Sequence, residues 1–262
     1  MRGEAERRRL GEGAPPTSCI AEIEKEVVAC RRCPRLVAWR EEAAAHPPKR
    51  YAGFRYWARP VPGFGDPQAR LLLVGLAPAA HGGNRTGRIF TGDRSGDWLF
   101  RALHRFGFAN QAISRDRDDG LQLFDCFVTA AVRCPPPENR PSPAERRNCY
   151  PFLARELDAL VRIRVLIALG GLAFATLLRW VRQRWPEEAA SSLPRSRTTF
   201  AHGAEFTLPE GRTLLASYHP SQQNTFTGRL TEAMFDAVFS RARALLEAGR
   251  EGTLSGGESV KS

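Results

Sequence analysis

Four of the six cysteines in the chain have spacings that suit a metal centre. Two form a C-x2-C pair, and the other two enclose the proline-rich segment CPPPENRPSP and the residues that follow it. The four candidate ligands are Cys30, Cys33, Cys134 and Cys149. Thiolates that converge on one point hold either zinc or an iron-sulfur cluster, and the wide spacing of the second pair favours the cluster. Cys19 and Cys126 are interpreted as ordinary buried thiols.

A glycine-rich loop, GLAPAAHGGNRTGRIFTGD at residues 75–93, follows an apolar run and carries a second set of reactive side chains. Gly82 and Gly83 allow a ligand to approach the backbone closely. Phe90 offers an aromatic face for a planar ring, and its polar neighbours make a core position less natural for it. The polar side chains that can hold a water molecule here are His81, Asn84 and Asp93, and the cations are Arg85 and Arg88.

The segment HPSQQNTFTGR at residues 219–229 is the third candidate, because it also follows a predicted strand. His219 can donate a hydrogen bond to an oxygen atom that gains negative charge, and it need not be a cation to do so. An isolated histidine would by default be a surface or hydrogen-bonded residue, but this polar context favours a functional role. The side chains that can contact phosphates are Ser221, Asn224, Thr225, Thr227 and Arg229, and ordinary loop hydrogen bonds explain each of them equally well.

Apolar runs alternate with helical patterns, and this predicts the elements that position the loops. Strands are expected at residues 71–75, 123–132 and 164–170, and a hairpin at 200–208 and 213–218. Helices are expected from Ser142, as the N-cap, to Leu160, and from Leu230 to Leu246. The predicted fold is a three-layer α/β/α sandwich with a central, mostly parallel four-stranded sheet. Both loops then lie at one rim, beyond the carboxyl ends of the strands.

Composition indicates a partner with negative charge. The chain has 262 residues, a formal net charge of +11 and a pI near 10.1, which suits nucleic acid, although the excess of Arg over Lys can also reflect a GC-rich genome. One domain over residues 17–248 is expected, with disordered tails at 1–16 and 249–262. No apolar run resembles a signal peptide or a membrane span, so a cytoplasmic monomer is expected.

Taken together, the C-x2-C pair, the C-x14-C segment and the two loops resemble the iron-sulfur uracil-DNA glycosylases. The first loop is most similar to the type-five branch of that superfamily, and the similarity covers about residues 20–246. The resemblance implies a monofunctional enzyme that removes uracil and other deaminated bases, such as hypoxanthine, from DNA in base excision repair. It also implies that the four candidate cysteines hold a structural four-iron, four-sulfur cluster, in a protein that joins the nucleoid when it binds DNA.

The resemblance further implies site roles. Phe90 would stack on the flipped base, with Gly75, Ala77 and Ala130 around it, and His219 would stabilise the departing uracil anion. Relatives often carry a carboxylate or amide in the run GLAPA and an asparagine at the position of Ala130. Neither is present, and the type-five branch is known to lack the former. We therefore expect weak polar discrimination between bases, and the water-positioning residue stays open among His81, Asn84 and Asp93.

Two other interpretations remain. A noncatalytic nucleic-acid-binding module with zinc on its four cysteines would explain the charge and the cysteines alone. A binder that forms a covalent adduct with damaged DNA, as one related branch does, is disfavoured because the Lys-Arg-Arg-Ile-His loop of that branch does not occur in this chain.

Overall fold

A mixed β-sheet with helices on both sides forms the centre of the computed structural model, which describes residues 16–186, 193 and 200–254. The strands are β1 (Phe64–Gly65), β2 (Leu71–Gly75), β3 (Cys126–Ala130), β4 (Val165–Leu169), β5 (Glu205–Leu208) and β6 (Arg212–Ser217). The helices are α1 (Pro16–Ala29), α2 (Pro34–Ala45), α3 (Gly83–Thr86), α4 (Arg94–Arg105), α5 (Pro143–Ala159), α6 (Gly171–Arg184), α7 (Gln222–Phe226) and α8 (Glu232–Leu254).

The sheet order is β1-β3-β2-β4-β6-β5, and its four inner strands are all parallel. The predicted parallel four-stranded centre is therefore confirmed. The predicted hairpin is confirmed as β5 and β6, which pair antiparallel. The antiparallel edge strand β1 was not predicted, because two residues at an edge show no period from which a strand can be recognised.

Alternate residues of each inner strand face two separate cores, which gives the predicted three layers. Leu71 and Leu73 pack in one core with residues of α4 and α8, whereas Leu72 and Val74 pack in the other with residues of α5 and α6. Every residue of β2, β3 and β4 is buried. Burial on both faces explains why these strands are continuous apolar runs rather than alternating ones.

The helix termini follow local capping rules. Ser142 is the N-cap of α5, as predicted, and forms a capping box with Glu145. Asp93 caps α4 by accepting a hydrogen bond from the Gly96 amide at 3.0 Å. Helix α8 continues to Leu254, past its predicted end at Leu246 and into the predicted tail of 249–262. Most of the predicted N-terminal tail and residues 255–262 lie outside the described residues.

Candidate active site

Phe90 and His219 meet above the carboxyl ends of two neighbouring parallel strands. Their ring centroids are 5.6 Å apart with an interplanar angle of 27°, so the two rings are stacked. Phe90 lies over Gly75 at the end of β2, and the Cβ atom of His219 lies above Gly170, directly after β4. The two loops identified from sequence therefore converge at one rim of the sheet, as the strand topology requires.

The backbone around Phe90 is strained and closely packed. Phe90 has φ +53°, in the left-handed region that is unfavourable for a bulky side chain. Its carbonyl group lies so close to Gly96 that a β-carbon there would collide with it. Phe90 is only 6 % exposed, which corrects the expectation of a less buried position. Its polar neighbours Arg88 and Thr91 bond to each other and to Ser114, and the Phe90 ring packs in the core.

The Phe90 ring packs directly against the backbone of Gly75. A β-carbon on Gly75 would lie 2.5 Å from Cζ and 2.6 Å from Cε2 of Phe90, so the absence of a side chain sets the position of the ring. Ala130 pairs with Gly75 in the sheet register and is fully buried. Small residues at both strand ends therefore leave the space that Phe90 fills.

We predict that Gly75→Ala displaces Phe90 and lowers both stability and any activity of this site. Overpacking of this kind costs about 1–3 kcal/mol of unfolding free energy. Thermal melts of wild type and variant measure the loss. Gly171→Ala is the matched control, because its added β-carbon would make only ordinary contacts, the nearest at 3.7 Å to Phe200. Equal melting temperatures for wild type and Gly75→Ala would contradict this packing.

Hydrogen bonds to its carbonyl oxygen fix the backbone of His219, while its imidazole ring remains available to bind a ligand. Its carbonyl oxygen accepts hydrogen bonds of 2.8 Å from both the Asn224 side-chain amide and the Ser221 backbone amide. Among the described residues, no side chain or backbone group is hydrogen-bonded to either ring nitrogen. Burial lowers the pKa of His219 to about 4, so the imidazole is neutral at pH 7. A neutral ring with a free N–H can donate to a developing oxyanion.

Asp93 is the carboxylate among the three candidates for the water-positioning residue. Its carboxylate caps α4 and lies against Gly82, where a side chain would collide with it. Burial raises the pKa of Asp93, and amide hydrogen bonds from Gly96 and Ser95 partly oppose the shift. A carboxylate with a raised pKa, three residues from Phe90, is suited to accept a proton.

His81 and Asn84 lie in other surroundings. His81 Nδ1 is 2.9 Å from the Tyr56 hydroxyl, and burial lowers its pKa. The fully buried Asn84 amide donates to the carbonyl groups of Arg40 at 3.1 Å and Ala80 at 3.2 Å. Both donors of Asn84 are therefore used to join loop and helix, which corrects its expected catalytic position. Its Oδ1 is buried without a hydrogen-bond partner among the described residues.

The predicted DNA contact of Arg88 is also corrected, because its side chain is 3 % exposed and cannot reach a phosphate. Its Nη2 atom donates to Asp119 and Ser114 at 2.7 Å each, and its Nε atom donates to Thr91 at 3.1 Å. This ion pair contributes to lowering the pKa of Asp119 to about 2, against the effect of its burial. Arg88 thus fastens the loop of residues 114–119 to the Phe90 loop.

Arg85 borders a groove of about 970 Å³ beside the Phe90 loop, here called the aromatic groove. Arg85 Cζ lies 4.5 Å from the ring centroid of Tyr51 and 5.3 Å from that of Phe54, and its Nε donates to the His81 carbonyl. The other aromatic and basic lining residues are Tyr56, Trp57, Arg50, Arg55, Arg59, Arg115 and Arg117. Interleaved aromatic and guanidinium groups of this kind suit a nucleic-acid strand. Their clustering was not predicted, because the residues come from three separate segments of the chain.

The loop after His219 divides into supporting and exposed residues. Ser221 caps the short helix α7, Asn224 holds the His219 carbonyl, and the Thr225 hydroxyl donates within the helix. Arg229 is exposed, with Cζ 4.6 Å from the Tyr218 ring centroid. Phe226, 66 % exposed, was missed, although a large apolar residue in an otherwise polar loop was a signal that could have found it.

The Uracil DNA glycosylase superfamily model matches residues 62–243, which include both loops and the whole sheet. The chain belongs to this superfamily. It is 52% identical over 219 residues to a type-5 uracil-DNA glycosylase of Thermus thermophilus, covering 84% of this chain and 94% of the relative. It is 51% identical over 227 residues to one of Mycobacterium leprae, covering 86% and 95%, and 44% identical over 229 residues to one of Pyrobaculum aerophilum, covering 87% and 94%.

In this member of the uracil-DNA glycosylase superfamily the four candidate cysteines share one region. Cys33, Cys134 and Cys149 pack together, and Ala77 packs against them, which places Ala77 on the cysteine side of its loop. Cys30 packs beside α1. Burial raises the pKa of Cys134 to about 11 and that of Cys149 to about 12. Among the described residues, no group of three or more His, Cys, Asp or Glu side chains is arranged to hold a single metal ion.

Three N–H groups point at these sulfur atoms. They are Arg40 Nη1 at 3.2 Å from Cys134, the Arg133 amide at 3.4 Å from Cys149, and Asn148 Nδ2 at 3.5 Å from Cys33. Hydrogen bonds to ligand sulfurs are a regular feature around iron-sulfur clusters. The residues present therefore fit such a group. Cys126 is fully buried and Cys19 is half-buried.

The helix α1 is fixed to α5 beside the cysteines. Glu26 and Arg155 form a two-point ion pair at 2.6 and 2.7 Å, and Ile23 and Val27 pack against Phe152.

In the part of the chain that the structure describes, no helix combines the length and the apolar character needed to cross a bilayer.

Proposed function

We propose that the protein is a monofunctional DNA glycosylase that hydrolyses the N-glycosidic bond of uracil and of other deaminated bases, and leaves an abasic site for base excision repair. The observation that carries this proposal is the Phe90–His219 pair at the sheet rim, with a neutral imidazole whose ring nitrogens have no hydrogen-bond partner in the described part of the chain. The relatives that share about half of its residues are named uracil-DNA glycosylases. We further propose that it acts as a monomer with one catalytic domain.

Cleavage of the glycosidic bond separates a sugar with oxocarbenium character from a uracil anion. The enzyme must bind the flipped base, stabilise its negative charge and supply water. In this proposal His219 donates its N–H to the uracil carbonyl oxygen where charge accumulates. Its low pKa keeps the donor neutral, so catalysis needs no proton transfer from a cation.

The stacked rings imply a small rearrangement when a base enters. A centroid distance of 5.6 Å is direct ring contact and leaves no room for a third ring between Phe90 and His219. We propose that the base takes the place of the imidazole on the face of Phe90, and that His219 turns to the edge of the base. The backbone hydrogen bonds to the His219 carbonyl keep its main chain fixed during this movement.

Asp93 is proposed to orient the attacking water. It is the candidate with a carboxylate, whereas both donors of Asn84 bind backbone carbonyls and His81 pairs with Tyr56. Base discrimination is proposed to be loose, because Ala77 and Ala130 offer no side-chain hydrogen bonds to a base edge. A broad range that includes hypoxanthine follows from stacking and shape alone.

Phe226 is proposed to enter the DNA stack at the space that the flipped base leaves. It is exposed, its ring centroid lies 4.4 Å from Arg94 Cζ, and its helix α7 begins three residues after His219. An apolar side chain that inserts between two base pairs replaces some of the stacking contacts that are lost when a base flips out. The loss of stacking costs about a few kcal/mol per step.

We predict that Phe226→Ala lowers the rate of uracil excision from duplex DNA by about tenfold. The variant would lose about 1.4 kcal/mol of the stacking energy that the Phe226 ring supplies in place of the flipped base. Excision from single-stranded DNA should change little, since no duplex has to open. Single-turnover rates on the two substrates measure the ratio. Val161→Ala is a control, because Val161 is a comparably exposed apolar residue at 59 % and lies outside the aromatic groove. Equal loss on both substrates would assign Phe226 another role.

The aromatic groove and Arg229 are proposed to contact the DNA strand next to the lesion. Arg85, Arg50 and Arg55 place guanidinium groups along the groove, and Phe54 is 56 % exposed within it. Such contacts position the strand without reading its sequence.

A four-iron, four-sulfur cluster on Cys30, Cys33, Cys134 and Cys149 is proposed as the cofactor. It would connect α1 and α2 to α5 and to the segment that precedes α5, a structural role with no electron transfer in base excision. Anaerobically purified protein should be brown with iron and sulfide bound. A colourless protein with stoichiometric zinc would favour the noncatalytic zinc module instead.

The function is tested with a panel of duplexes, each with one damaged base, followed by alkali. Uracil and hypoxanthine should both give alkali-labile sites, with no strand break before alkali. Cleavage at uracil alone would overturn the broad range and leave the uracil activity standing. Strand breaks before alkali would contradict a monofunctional mechanism.

A further inference from the structure

Arg40, in the middle of α2, is a buried cation without a paired carboxylate among the described residues. It is 2 % exposed, and its Nε atom is buried without a hydrogen-bond partner. Nη1 lies 3.2 Å from Cys134 Sγ and 3.4 Å from the Cys30 carbonyl oxygen. The neighbouring Glu41 points outward to the exposed Arg31 at 2.7 Å.

A buried guanidinium of this kind is costly unless an anion compensates it. Four thiolates around a cluster carry a net negative charge, and Arg40 donates directly to one of their sulfurs. Arginine is always protonated, so its charge does not vanish on burial. The site thus combines a cation in need of an anion with four cysteines that become anionic when they bind a cluster.

We propose that Arg40 is the counter-cation of the cluster and raises its reduction potential above the value that the cluster would have without this positive charge. This inference rests on the proposed cofactor. A positive charge beside the cluster stabilises the reduced form, which carries one more negative charge, and hydrogen bonds to the sulfurs act in the same direction.

Arg40 also connects the cluster to the catalytic loop. Its carbonyl oxygen accepts the 3.1 Å hydrogen bond from Asn84, whose own carbonyl accepts one from the Ala58 amide at 3.0 Å. The charge of Arg40 therefore stabilises the cluster, while its backbone holds the segment that leads to Phe90. Arg40 is a positioning residue and does not touch the DNA in this account.

The test is the reduction potential of the cluster in R40Q, measured by a redox titration followed by electron paramagnetic resonance. At the wild-type midpoint potential, we expect the ratio of reduced to oxidised cluster to fall at least tenfold, which corresponds to 59 mV for one electron. R31Q is the matched control, because it removes the same charge one residue from Cys30 at an exposed position, where solvent screens it. Its potential should equal that of wild type.

An unchanged potential in R40Q with an intact cluster overturns the proposal. If R40Q cannot be isolated with its cluster, R40K and R40M decide: the charge-retaining R40K must keep more iron than R40M, and equal loss overturns the proposal. A colourless wild-type protein would instead refute the proposed cofactor, whatever the state of the Arg40 variants.

Discussion

Replacement of His219 by alanine should lower the single-turnover rate of uracil excision by about 100- to 1000-fold, because loss of one preorganised donor to an oxyanion has effects of this size. The ring makes no hydrogen bond to the described protein groups, so its removal breaks no internal network. We therefore expect the melting temperature and the cluster content to stay close to those of wild type. The loss should appear in the chemical step and much less in DNA binding.

Two further variants sharpen the His219 experiment. His219→Gln keeps an N–H donor and should recover part of the rate, whereas His104→Ala removes an exposed histidine of α4 and should have no effect. With a pKa of about 4, His219 stays neutral above about pH 5 and should add no inflection there. A rate for His219→Ala within twofold of wild type would remove this residue from the mechanism.

Replacement of Asp93 by asparagine should lower the excision rate by about 100-fold or more, in the range typical of a lost general base. Asparagine caps helices about as well as aspartate, so α4 should keep its N-terminus. As the base, Asp93 must be ionised, and burial raises its pKa. The wild-type rate should therefore fall as the pH drops through this raised pKa. In Asp93→Asn, this decrease at acidic pH should be absent from the pH profile.

The control for Asp93 is Glu247→Gln, which makes the same change of charge at an exposed position of α8, outside the aromatic groove. It should keep both the rate and the pH profile of wild type. If Asp93→Asn retains the decrease at acidic pH, another group titrates there and the water is held elsewhere. If instead its melting temperature falls strongly, the cap matters more than the carboxylate charge.

Local rules were sufficient for much of the fold. The apolar runs of β2 and β4 are continuous because both faces are buried, and Ser142 with Glu145 carries its capping signal within four residues. From the parallel topology it also followed that Phe90 and His219 lie at one rim. This juxtaposition depends on strand order alone and could be predicted without side-chain detail.

Long-range pairing limited the prediction of the site. Arg88 appeared to be a phosphate contact because its partner, Asp119, lies 31 residues away. Asn84 appeared catalytic because its bond to the Arg40 carbonyl crosses 44 residues. Neither partner leaves a local pattern in the sequence. The left-handed backbone of Phe90 was likewise invisible, since it depends on the close approach of Gly96.

We propose that this chain removes uracil from DNA at the Phe90–His219 site. The most direct measurement is the release of free uracil from a duplex containing one uracil, by purified brown protein in excess over DNA. We expect one free uracil per duplex, one alkali-labile site in its place, and loss of both in His219→Ala. Protein that binds the duplex with its cluster intact but releases no uracil would contradict a glycosylase function.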